Sequence, residues 1–279
     1  MRLYSRAKSN RLDCMLTRIF LASVALFYAT VAYCEPSTIE QGYHEMYNLQ
    51  FDAAHRTFNE WQHQHPQDPL GPVSDAAAYL FAEFDRLHIL QSEFFTHDEH
   101  FITDHKLAPD QTVKVRFETA LNNATTLADQ APENPDARFA VLLCHGLRSD
   151  YMALIEKRYG ASFKEMKTAR AMAEQLLAEH PKYYDAWVAV GVENYMLSTK
   201  AAPLRWLLRL GGGETDRTVG LEKLRIAAEK GHFLLPFARL LLAVTALREH
   251  KTDQAREILA DLAKQYPHNA LYVQELARF

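Results

Sequence analysis

Residues 51–66 read FDAAHRTFNEWQHQHP, and this stretch decides the fold. Phe51, Ala54, Phe58 and Trp61 recur at steps of three and four, so they share one face of a helix. Pro66 ends that helix, because proline lacks an amide donor and its ring clashes with the preceding turn. The small Ala54 lies twelve positions before Pro66, and the same spacing separates Ala120 from Pro132, Ala169 from Pro181 and Ala255 from Pro267. A fifth pair, Gly220 and His232, keeps the spacing but lacks the proline. A small residue lets two helices approach closely, so the recurrence predicts a chain built from repeated helical units.

Each of these helices has a partner upstream. The pattern predicts pairs at 38–48 with 51–65, 72–95 with 110–130, 134–158 with 162–180, 183–198 with 214–231, and 234–249 with 252–266. A last helix from about 269 would cover the end of the stack. No segment shows strand-like alternation. The expected fold is all-α, a superhelix of about five antiparallel helix pairs. The stop positions are 66, 49, 51 and 35 residues apart, so the repeats are unequal. The longest step contains the polar linker 96–109, and the 51-residue step contains a short helix at Leu204–Leu210 followed by Gly211–Gly213.

These residues resemble tetratricopeptide repeats, which pair a helix bearing W-x2-L-G-x2-Y with one bearing A-x3-F followed by proline. Trp187, Val188, Ala189, Val190 and Gly191 fit the first helix with one conservative change; Asn194 stands where tyrosine belongs, and Tyr195 follows it. Ala54, Phe58 and Pro66 fit the second helix, with Gly42 at the glycine position of the first, and Ala255, Leu259 and Pro267 fit with leucine for phenylalanine. Ala120 with Ala124, and Ala169 with Ala173, keep only the small residue. The resemblance implies a scaffold whose first helices line a concave groove for a protein or peptide. On this chain it implies groove positions at Tyr43, Met46 and Tyr47, and at Asp185, Val188, Val192, Tyr195 and Met196.

The first 34 residues stand apart. Arg2, Arg6, Lys8, Arg11 and Arg18 precede or open an uncharged run, Ile19–Cys34. A basic start, a short apolar run and then Glu35-Pro36 is the layout of a secretory signal, with Thr30 and Ala32 suiting a cut after Ala32. An uncleaved anchor, or lipidation at Cys34, are the alternatives. Residues 35–279 would then form the helical repeat domain, exported, and periplasmic or secreted if the source is bacterial. Loss of the leader would take the net charge from −4 to −8, which disfavours nucleic acid as a partner. A membrane enters only if the leader is retained or lipidated. Cys144, among Val141, Leu142 and Leu143, reads as a buried structural thiol.

No catalytic constellation stands out, so the chain is read as a non-enzyme that needs no cofactor. His97, His100, Asp104 and His105 offer metal-ligand chemistry, but in a polar linker without the spacing of a known site. His63 and His65 suit a helix end, where they meet the last carbonyls. Arg148, Asp150, Tyr151, Glu156, Lys157 and Arg158 read as a solvated ion-pair face. The insertion 200–217 is the most distinctive stretch, with Trp206 between Arg205 and Arg209. Tyr43, Tyr47, Tyr195, Met196, Arg205, Trp206 and Arg209 are therefore the candidate partner-binding residues. The expected function is an exported scaffold for a protein or peptide, with the assembly of an envelope complex as its setting; the alternative is a helical protein that encloses a small ligand or lipid.

Overall fold

A computed structural model describes residues 38–90, 107–198 and 216–279. Among them are eleven α-helices and no strand. They are α1 (Ile39–Tyr47), α2 (Phe51–Gln64), α3 (Leu70–Arg86), α4 (Gln111–Ala128), α5 (Pro135–Asp150), α6 (Tyr159–Glu179), α7 (Trp187–Ser198), α8 (Arg217–Lys230), α9 (Leu235–Arg248), α10 (Thr252–Gln265) and α11 (Ala270–Leu276). Each helix packs on the next, so the chain is a succession of helix pairs closed by α11. Two helices end earlier than the sequence pattern gives: α3 at Arg86, and α5 at Asp150, where a π-turn takes over.

Two kinds of turn recur. Between pairs, the residue after the even helix carries φ near −126° and ψ near 70° at His65, His180 and Tyr266, and proline follows each time. The carbonyls of these three residues, and of Ala131 before Pro132, accept an N–H three positions on. Asp68, Asn134 and Asn269 then cap the next helix with a side-chain oxygen. Within pairs, Leu49, His88 and His250 take left-handed conformations at φ near 58°. Each closes a Schellman cap through Gln50 N–H to Glu45 O, Ile89 N–H to Phe84 O, or Lys251 N–H to Ala246 O.

The fifth stop departs from the rule for a visible reason. The Asp185 carboxylate reaches across and accepts the N–H groups of His232 (2.9 Å), Phe233 (3.3 Å) and Leu234 (2.9 Å). It fixes the loop that leads into α9, whose own N-cap residue supplies no side-chain bond. A proline at 232 would delete one of those donors. Asp185 is thus a buried residue that fixes a loop and not part of a groove surface.

The small residues act as the spacing predicts. Ala54 and Ala255 are fully buried, and Ala169 nearly so. A Cβ on Gly42 would fall 2.3 Å from the Phe58 ring. Gly191 and Gly220 let α7 and α8 touch by their backbones, since a Cβ on Gly220 would lie 2.7 Å from the Tyr195 nitrogen and 3.0 Å from the Gly191 oxygen. Backbone cannot step aside as a side-chain tip can, so Gly220→Ala should cost about 1–3 kcal/mol. Thermal unfolding checks this, with Gly160→Ala as the neutral control because nothing lies within 4 Å of its Cβ position.

The two ends of the succession meet. Tyr47 donates its hydroxyl to Phe233 O at 3.0 Å, Asn269 Nδ2 donates to Tyr47 O at 2.9 Å, and His268 N–H donates to Asn48 Oδ1 at 3.1 Å. Tyr43 stacks on Phe233 with centroids 5.1 Å apart, and Tyr266 packs against His44 and Tyr47. Helix α1 therefore docks on the last pair, and the odd helices face an enclosed interior. Burial follows this division: α3 buries twelve of its seventeen residues, whereas α2 buries three of fourteen.

Both insertions leave from the end of an odd helix, and their flanks are tied. Glu83, 2% exposed, pairs with Arg86 and accepts Asp110 N–H, while Arg86 donates to Ala108 O. Asn194 Oδ1 accepts Asp216 N–H at 3.2 Å.

Candidate functional site

The odd helices, with Met166 and Ala169 of α6, line a central cavity, and its walls are mainly apolar. α1 supplies Tyr43, Met46 and Tyr47; α3 supplies Ala77 and Phe81. α5 forms the longest wall, from Leu142 through Gly146 and Leu147 to Asp150. Val188 and Val192 of α7 and Phe237 of α9 face it from the other side. Counted out to its opening to solvent, the cavity spans about 820 Å3. Met46, Tyr47 and Phe81 also border a second apolar cavity of about 620 Å3 between α1 and the last three helices.

The polar groups on the central wall are nearly all engaged. The Tyr47 hydroxyl donates to Phe233 O, and the Tyr43 hydroxyl accepts from Ser74 Oγ at 3.2 Å. Burial pushes both phenols well above their ordinary pKa, so they stay neutral. Ser149 pairs with the Ser162 carbonyl and hydroxyl.

Asp150 is the exception. It lines the cavity, is only partly exposed, and among the described residues has neither a hydrogen-bond nor an ion-pair partner. Burial raises its pKa to about 7, with no neighbouring charge to offset the lost hydration. Asp150 is the last α-helical residue of α5, and the backbone stays helical beyond it. A π-helical turn, Tyr151–Ile155, follows directly, with Glu156 N–H bonding five residues back to Tyr151 O. π-Turns concentrate at functional sites. Glu156 shows what an ordinary surface carboxylate does here: burial alone would raise its pKa, but Lys114 at 2.7 Å and Arg158 at 3.0 Å bring it below normal.

The residues singled out from sequence fall into three groups. Tyr43 (4% exposed) and Tyr47 (5%) do not lie on an open groove; they are buried between α1 and the final pair and border the cavity. Tyr195 is also buried, because the Gly191–Gly220 approach draws α8 over it, and Met196 is half-buried. Arg205, Trp206 and Arg209, like the His97, His100 and His105 cluster, lie outside the described residues. His65 does meet the helix end, its Nδ1 3.3 Å from Trp61 O. Cys144 is fully buried, and burial lifts its thiol to a pKa of about 11.

Asp150, Phe81 and Phe237 were not read as site residues from the sequence. The signal for Asp150 was available only in part: an acid at the end of an apolar helix, beside cations that turn out to serve Glu156. Among the described residues no His/Cys/Asp/Glu group could hold a metal ion, and no helix is long and apolar enough to cross a membrane. The chain matches no protein-family model, no curated protein and no solved structure.

Proposed function

We propose that the chain is a non-enzymatic binding protein for a small, largely apolar molecule held between its odd helices. One observation carries this reading: five odd helices and α6 turn apolar side chains toward one shared cavity. A scaffold for a protein partner would need an outward aromatic groove, whereas Tyr43 and Tyr47 point inward. The tetratricopeptide class is part of the proposal, supported by the contact of Gly42 with Phe58 and the repeated X-Pro turns. So is export by residues 1–34, which would place the site outside the cytosol.

Isothermal titration with medium-chain aliphatic probes, kept below their micelle concentrations, tests the reading. Saturable one-to-one binding is expected, and it should weaken when Ala77→Phe fills the cavity. No binding by any aliphatic probe, alongside specific capture of one protein from the native compartment, would return the scaffold to first place.

A further inference from the structure

We infer that the cavity selects ligands carrying a basic nitrogen on an apolar body, with the Asp150 carboxylate as the partner of that nitrogen. This rests on the ligand-binding reading and adds the chemical class. Among the described residues, the wall presents one carboxyl without a partner and no Lys, Arg or His. The phenols of Tyr43 and Tyr47 and the hydroxyl of Ser149 already have partners, so the wall has little left to offer a ligand anion. A fatty-acid carboxylate would meet Asp150 with no cation between them, and like charges in an apolar space repel strongly. An alkylammonium group supplies what is missing: donors for the carboxylate, an opposite charge, and a chain for the Phe81, Leu147 and Phe237 walls.

The geometry also accounts for why the carboxyl stands alone. A structural carboxylate in this fold finds a partner: Asp185 has three amides, Glu83 has Arg86 and the Asp110 amide, and Asp75 has His55 at 2.5 Å. Asp150 departs from that pattern, and it lines a cavity able to bring a partner in.

The experiment compares decylamine, 1-decanol and decanoic acid by isothermal titration at pH 7, against the full chain and its Asp150→Asn variant. The wild type is expected to bind decylamine about ten- to a hundredfold more tightly than decanol, the range of a charge-assisted hydrogen bond, and decanoic acid most weakly. Asp150→Asn should erase the preference for the amine, bringing decylamine and decanol to similar affinities. If wild type holds decanol and decylamine equally, or the preference survives in Asp150→Asn, the amine assignment is overturned while the binding reading stands. If none of the three binds, the binding reading fails first and takes the assignment with it. Circular dichroism of Asp150→Asn, expected to match wild type, separates a changed site from a changed fold.

Discussion

Replacing Asp185 with alanine should lower stability by about 3 kcal/mol and the melting temperature by about 10 °C. The carboxylate accepts three consecutive backbone N–H groups in the loop that leads into α9. Each buried donor left unsatisfied costs about 1–3 kcal/mol, although water at the loop edge recovers part of this. Removing the carboxylate also relieves the burial that raises its own pKa, so the net loss is smaller than three full bonds. The damage spreads, because the same loop receives the Tyr47 hydroxyl at Phe233 O and the Tyr43 ring. Asp185→Asn keeps one acceptor oxygen and should lose about half as much. Asp136→Ala is the control: Asp136 also accepts one bond, from the Tyr183 hydroxyl, but at an exposed site. A melting temperature for Asp185→Ala within a degree or two of the Asp136→Ala value would mean that the loop does not depend on this carboxylate.

The helix pairs were legible because their signals are local. A face of apolar residues at steps of three and four, a small residue, and a proline stop all act within one or two turns, and the observed boundaries follow them closely. Even the odd fifth stop carried a clue: Gly231-His232 lacks the proline because Asp185, 47 positions away, needs the His232 amide. That partner could not be found from the sequence, since a loop-fixing acid and a groove acid look alike there. Ring closure was hidden for the same reason. Asn48 and His268 are 220 residues apart, and no pattern within either segment announces the other. Once α1 docks on the last pair, Tyr43 and Tyr47 change from groove residues into lining of an enclosed space. The Asp150 reading turned on charge bookkeeping: Arg148 and Arg158 sit close enough in sequence to suggest a mixed solvated face, but in space Arg148 donates to Asn122 and Arg158 pairs with Glu156.

Asp150 makes a second large prediction, in the dependence of stability on pH. An aspartate in an unfolded chain titrates near pH 4, whereas burial in the cavity moves the folded value to about 7. Between those values the unfolded chain has released this proton while the folded chain still holds it. The unfolded state then binds fewer protons, so stability falls as pH rises. The contribution is fully present below about pH 4 and is lost as pH passes 7. Each tenfold change in proton affinity is worth about 1.4 kcal/mol, and water reaching the cavity screens part of the total, leaving about 2 kcal/mol. Asparagine has a similar shape and no charge to bury. Asp150→Asn should therefore melt about 4–8 °C above wild type at pH 8, and the gap should close toward pH 4. Taking the difference between the two proteins cancels the other titrating groups, provided they lie far from the cavity. A constant gap across the pH range would mean that Asp150 stays ionised and hydrated in the folded chain. The same pair of proteins ties stability to the site: an alkylammonium ligand gives the carboxylate its missing partner, so decylamine at pH 8 should raise the melting temperature of wild type and leave that of Asp150→Asn nearly unmoved.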